Sequence, residues 1–186
     1  MSKTALLVVD VQNDFCPGGA LAVPGADEII APINELMERF DLVIATLDFH
    51  PPGHCSFITS DPPGPWPEHC VQDTFGAELH EDLNNEAIDH FVCKGTALDV
   101  DSYSAFFDND HVTETGLARH LREQGVEHVY VVGLALDYCV KFTALDARAE
   151  GFEVTVIADA TRAVNVTPGD DERAIEEMRA ADITIS

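Results

Sequence analysis

Apolar runs of strand length recur along this chain, each separated from the next by a segment of helical spacing or by a loop. Thr4–Val11 is apolar almost throughout, as in a strand buried on both faces, and it delivers Asp10 near its C-terminal end. A loop with Pro17, Gly18, Gly19, Pro24 and Gly25 leads to a predicted helix over Asp27–Phe40, with Ile29, Ile30, Ile33, Leu36 and Met37 as its apolar stripe. Asp41–Leu47 reads as a second strand and delivers Asp48. From Phe49 to about Phe75 the chain is rich in Pro, Gly and His without a sustained period, and loops of this length in a domain are usually functional or disordered. A short helix over Ala77–Leu83, a third strand over Ala87–Cys93 delivering Lys94, and a helix over Thr113–Gln124 with Gly125 as C-cap follow. Val129–Val132 is a β-branched and aromatic fourth strand that Gly133 is expected to end, and helical spacing runs from Tyr138 to Gly151. Phe152–Ala158, Pro168–Ala180 and Ile183–Ile185 complete the pattern as strand, helix and short strand.

Strands alternating with helices imply parallel pairing, right-handed crossovers and helices on both faces, so the fold class is α/β with three α/β/α layers around a six-stranded, mainly parallel sheet. In the order 3-2-1-4-5-6 the first and fourth strands are neighbours at the point where such sheets bind ligands. That order puts Asp10 beside Cys139. One domain over residues 1–186 suits the length, with residues 48–75 as a distinct loop region.

Charge changes this picture most. There are 34 acidic against 10 basic residues, a net charge of −24, which disfavours binding to nucleic acid or an anionic membrane. The acids are dispersed over helix faces and loops, and self-repulsion of this size predicts a protein stabilised by molar salt, as from a halophilic source. The N-terminal T-A-L-L-V-V-D is short and ends in acid, so it reads as neither signal peptide nor membrane span, and a cytoplasmic protein is expected. Five cysteines without a C-x-x-C argue against a disulfide framework.

Asp10, Asp48, Lys94 and the turn holding Cys139 stand at the ends of successive apolar strands, where one charged residue means little and four complementary groups mean more. A cysteine nucleophile needs a base for its proton and a cation to favour the thiolate. Cys139 near the first turn of a helix would have its pKa lowered by the helix dipole, although a lone cysteine is more often a small buried hydrophobe. Asp48 and His50 alternate along an extended segment and, with His69, form a donor set suited to one divalent ion, zinc foremost, with iron or manganese as alternatives. His54 stands near them as a fourth ligand or a partner behind the first three, while His80, His90, His111, His120 and His128 read as exposed. Phe15, Trp66, Tyr103 and Phe106 lie in loops that should rim the same sheet edge and could wall a flat aromatic ligand.

These residues resemble the isochorismatase-like cysteine hydrolases, and within them the nicotinamidase group. The resemblance is carried by L-L-V-V-D-V-Q-N-D-F (Leu6–Phe15), D-F-H-P-P-G-H (Asp48–His54), W-P-E-H-C (Trp66–Cys70), Lys94-Gly95, D-S-Y-S-A-F (Asp101–Phe106) and G-L-A-L-D-Y-C-V (Gly133–Val140), spread over most of the chain. It implies an isochorismatase-like fold and a catalytic set of Asp10, Lys94 and Cys139. It also implies an oxyanion hole from the backbone N–H groups of Ala135 and Cys139, with a cis peptide at Leu134–Ala135. Asp48, His50 and His69 would hold the metal, and Phe15, Trp66, Tyr103, Phe106 and Leu134 would contact substrate. The implied reaction is hydrolysis of nicotinamide to nicotinate and ammonia through a thioester, in NAD salvage. The implied partner is thus a small-molecule substrate, and a homo-oligomer is left open. Another small-amide hydrolase of the same superfamily, a non-catalytic metal- or ligand-binding relative, and a thiol redox sensor are the competing readings; the last lacks a resolving C-x-x-C partner.

Overall fold

The first apolar run becomes strand β1, Lys3–Val9, and its residues divide between two cores as strand geometry requires. Ala5, Leu7 and Val9 pack on one face, and Leu6 and Val8 on the other, all at 0% exposure. The computed structural model describes residues 3–186; Met1 and Ser2, counted in the expected 1–186 domain, lie outside the described residues. Strands β2 (Val43–Asp48), β3 (His90–Lys94), β4 (Val126–Leu134), β5 (Glu153–Arg162) and β6 (Thr184–Ile185) join β1 in one six-stranded sheet of order 3-2-1-4-5-6. Every paired neighbour is parallel, which bears out the expected topology.

Helix α1 (Ile30–Met37), extended backwards by a 3₁₀ turn over Ala26–Ile29, buries Ile30, Ile33 and Met37 against the Leu6 and Val8 face. On the opposite face α2 (Leu117–Glu123), α3 (Lys141–Ala149) and α4 (Asp170–Ala180) bring Leu121, Ala144 and Met178 against Leu7 and Val9. The three layers follow from this division, and truncating one such side chain, as in Ile33→Ala, removes about 2–5 kcal/mol. No helix among the described residues is long and apolar enough to cross a membrane.

Three local expectations are corrected. Ala77–Leu83 is not a helix: a 3₁₀ turn covers Phe75–Ala77, and the segment is held by Gln12–Leu79 bridging and by the His80 N–H donating to the Val11 carbonyl. Its apolar residues cap a loop against the sheet edge instead of lining a helix face. Gly133 does not end β4; it lies inside the strand at φ 109, where a Cβ would fall onto the Val9 backbone of β1. The residue is there for close approach of two strands, a need that resembles a terminator in sequence. The helix expected from Tyr138 is preceded by a π turn over Leu136–Val140, with α3 proper beginning at Lys141. All five cysteines are free.

Candidate active site

Parallel register sets the site, because it aligns the strand ends. Val9 pairs with Thr46 on one side and Gly133 on the other, so Asp10, one residue further, stands between the ends of β2 and β4. Asp48 pairs with Lys94 at the ends of β2 and β3. Asp10 sits in the left-handed region at φ 50, and its N–H donates to the Thr46 carbonyl and hydroxyl, both at 3.2 Å. The Thr46 hydroxyl in turn donates to Asp10 Oδ1 at 2.6 Å.

Lys94, only 1% exposed, is the hub. Its Nζ lies 2.9 Å from Asp10 Oδ2, donates to Asp48 Oδ1 and, at 3.2 Å, to the Ser102 carbonyl, and stands 3.4 Å from Cys139 Sγ. Burial alone would lower the pKa of this ammonium, but Asp10 and Asp48 outweigh it and hold its pKa well above the usual lysine value. Burial would raise the Asp48 carboxyl, but the same Lys94 charge outweighs it and keeps that carboxyl well below its usual range. At Asp10 the balance goes the other way: burial, reinforced by Asp48, raises the carboxyl despite Lys94 and Thr46.

Cys139 departs from expectation in the same manner. Burial pushes its thiol well above the ordinary value; Lys94 pulls down, while Asp10 and Asp48 push up. Two carboxylates against one ammonium, in a buried setting, override whatever the turn's dipole supplies. The thiol therefore keeps its proton at rest, beside an Asp10 carboxylate able to take it. Atoms of Asp10, Asp48 and Cys139 lie within 4.8 Å of one another.

The second half of the site begins at the other oxygen of Asp48. Oδ2 lies 3.5 Å from His50 Nε2 and 3.7 Å from His69 Nε2. His50 Nδ1 is 2.8 Å from the Gly95 carbonyl and His69 Nδ1 is 2.8 Å from the Pro67 carbonyl. A carbonyl accepts only, so each ring carries its proton on Nδ1 and turns a bare Nε2 inward. His50 Nε2 is buried with no hydrogen-bond partner, as a lone pair kept for a cation would be. Two imidazoles and a carboxylate, with their donor atoms within 4.8 Å of one another, fit a divalent ion. His54 is placed differently. Its ring stacks on His50 at 4.1 Å, its Nδ1 meets the Ser56 hydroxyl at 2.8 Å and its Nε2 the Val100 carbonyl at 3.2 Å, so it groups with His50 and Asp101 instead of with Asp48 and His69.

A cavity with about 410 Å³ of empty volume, mouth included, is lined by residues of both halves, Asp48 and His69 from one and Cys139 and Ala135 from the other. Phe15, Trp66 and Tyr103 wall it as expected. The Trp66 indole N–H donates to the Tyr103 hydroxyl at 3.1 Å, and Tyr138 meets Trp66 edge-on at 5.0 Å. Burial pushes the Tyr103 phenol up to about 12, so it stays neutral. Phe106 and Leu134 do not reach the cavity: they are 1% and 0% exposed and pack in the two cores on opposite faces of the sheet. Leu134 instead supplies the first half of a cis peptide to Ala135, and the Ala135 carbonyl accepts the Tyr138 and Val140 N–H groups at 3.1 Å.

Sequence reasoning passed over Thr46, Gln12 and Tyr138. Thr46 shares a strand face with Asp48, two residues away, and that alternation was a usable signal. Gln12, the first polar residue after Asp10, was another. Tyr138 adjoins Cys139. Of the histidines expected to be exposed, only His111 is; His90 stacks on His120 at 4.2 Å, His128 on Tyr130 at 4.4 Å, and His80 is half-buried.

Comparison with known proteins gives the chain a family. The isochorismatase domain profile matches residues 4–186. The nicotinamidase of Escherichia coli (strain K12) is 46% identical over 202 residues, covering 100% of this chain and 95% of that protein. Among solved structures, a nicotinamidase and pyrazinamidase of Acinetobacter baumanii superposes with a TM-score of 0.95 at 43% identity, covering 100% of this chain and 96% of the other. A Pyrococcus horikoshii pyrazinamidase in complex with zinc gives a TM-score of 0.87 at 45% identity, covering 99% and 98%.

Proposed function

The chain belongs to the isochorismatase family, and from that premise we propose that it is an amide hydrolase converting nicotinamide to nicotinate and ammonia, in NAD salvage in the cytoplasm. The observation that carries the reading is that one aromatic-walled cavity is lined by Cys139, Asp48 and His69, with Asp10 and Lys94 standing behind the thiol and His50 completing the donor set with Asp48 and His69. The domain is taken to span residues 1–186, with the loop region of about 48–75 carrying all three metal-site residues, Asp48, His50 and His69.

The chemistry follows from the resting state. A neutral, flat carboxamide enters between Phe15, Trp66 and Tyr103, with its amide group toward Cys139. Asp10 accepts the thiol proton as sulfur attacks the carboxamide carbon, and the Lys94 ammonium, 3.4 Å from the sulfur, offsets the charge that develops there. Backbone N–H groups of Ala135 and Cys139 are assigned to the oxyanion, each worth about 3 kcal/mol. Asp10 passes its proton to the departing nitrogen, and ammonia leaves a thioester. Asp10, again a carboxylate, then draws a proton from water as the water attacks the thioester, and sulfur departs with that proton while nicotinate is released. Asp48, His50 and His69 would hold the divalent ion, zinc or one of iron and manganese, which supplies a docking point for the pyridine nitrogen.

Steady-state ammonia release from nicotinamide by the zinc-loaded protein tests the reading, with benzamide, which lacks the ring nitrogen, as comparison. Cys139→Ala is expected to abolish turnover, by more than about 10⁴-fold. Equal rates on nicotinamide and benzamide would remove the metal-docking part, and turnover surviving in Cys139→Ala would remove the mechanism.

A further inference from the structure

Gln12 takes no part in the chemistry above, yet it is 0% exposed and every hydrogen of its amide is used. Its Oε1 accepts the Asp48 backbone N–H at 2.8 Å, and its Nε2 donates to the Asp48 carbonyl, also at 2.8 Å. The second Nε2 hydrogen goes to the Ala77 carbonyl at 2.8 Å. The first two bonds reproduce, with a side chain, the paired N–H and C=O contacts of a strand neighbour, at the residue where β2 runs beyond its partner β1. The acceptors and donors admit one amide orientation only. Gln12 is also tied to the base, because its own N–H donates to the Asp10 carbonyl at 2.8 Å.

Asp48 is the one side chain shared by both halves of the site, with Oδ1 on Lys94 and Oδ2 toward His50 and His69. We propose that Gln12 is a positioning residue that fixes the Asp48 main chain relative to the Asp10 turn, and so sets the metal site in register with the nucleophile. The inference rests on the nicotinamidase reading for its consequence in catalysis, though the bonding pattern stands without it. A side chain one methylene shorter would not span from the Asp10 turn to Asp48. A carboxylate of the same length would keep the Asp48 N–H bond but forfeit both donor bonds and add a third buried acid.

Four measurements test this. The zinc-loaded wild type, Gln12→Met and Gln12→Asn are compared for their Zn²⁺ dissociation constants by competition with a chromophoric chelator, with the folded fraction followed by circular dichroism at the same temperature. Gln12 as a positioning residue predicts zinc held about 10–100-fold more weakly in both variants while they remain folded, with KM for nicotinamide rising more than kcat falls. A merely structural glutamine predicts a lower unfolding midpoint with zinc affinity unchanged, and that result overturns the proposal. Should neither variant fold, hydrogen exchange on the wild type decides: the Asp48 amide must be protected to the level of the central strands whether zinc is present or chelated away, and exchange as fast as in surface loops overturns the proposal. A wild-type enzyme that leaves nicotinamide intact while these zinc affinities still diverge would defeat the functional reading and leave the Gln12 assignment standing.

Discussion

Replacing Lys94 by methionine keeps most of the side-chain volume and removes the one cation that two buried carboxylates share. Lys94 Nζ stands 2.9 Å from Asp10 Oδ2 and also bonds Asp48 Oδ1, and all three side chains are nearly inaccessible. At an effective dielectric near 20, one pair at 2.9 Å is worth about 6 kcal/mol of gross attraction, partly offset by the cost of burying the ammonium. What decides the outcome is the charge left behind: removing one partner of a buried pair costs about 3–5 kcal/mol. With a urea m-value near 2 kcal/mol/M, the unfolding midpoint of Lys94→Met should fall by about 1.5–2.5 M. Trp66 is the single tryptophan and reports the transition by fluorescence. The deficit should also depend on pH. Asp10 already has a raised pKa in the folded state through burial and Asp48, opposed by Lys94, so losing Lys94 raises it further. The folded variant then binds a proton that the unfolded chain does not, so its stability increases as pH falls through that folded pKa, and the gap to wild type narrows from pH 8 to pH 5.5. A Lys94→Met midpoint within a few tenths molar of wild type, with the same gap at both pH values, would refute the claim that Lys94 balances the charge of these two carboxylates.

Thr46→Val removes the 2.6 Å donor to Asp10 Oδ1 while keeping shape, and should cost about 1.5–3 kcal/mol in urea unfolding because the acceptor is charged. Because that bond favours the ionised acid, the acid limb of the kcat/KM profile should also move to higher pH in this variant; an unmoved limb counts against the assignment of Asp10 as base. In the wild type, the competent state has Asp10 ionised and Cys139 protonated, so kcat/KM on nicotinamide should rise above the usual carboxylate range and fall only above the ordinary thiol range, since both groups are raised. A plateau extending down to pH 4 would contradict it. The net charge of −24 leads to a midpoint of thermal unfolding that climbs between 0.1 and 2 M KCl as the Debye length falls from about 10 Å to below 3 Å, and equal stability at both salts would end the halophilic expectation.

The strand order and the location of the site were legible because parallel α/β sheets allow few topologies, and chemistry collects where their strands end. Asp10, Asp48, Lys94 and Cys139 could be singled out since each interrupts or follows an apolar run. Phe106 and Gly133 were misread for a common reason. An aromatic in a loop motif and a glycine after a valine run look the same whether they face a ligand, a core or a neighbouring backbone. Tertiary contact separates these cases, as Phe106 packs in the core on one face of the sheet and Gly133 admits the Val9 backbone.

By itself, then, the chain's alternation of apolar runs and helical segments determined the layers, the topology and the set of reactive side chains, since periodicity and strand connectivity are local or combinatorial properties. Its acidity likewise narrowed the partners without any fold. Only the tertiary structure decided the protonation balance. One ammonium placed among two carboxylates and a thiol makes Asp48 a strong anion, Asp10 a ready base and Cys139 a thiol at rest, because at these separations each charge is felt through a buried medium. It also decided that Gln12 stands as a strand neighbour to Asp48, a role that depends on where β1 stops and β2 continues.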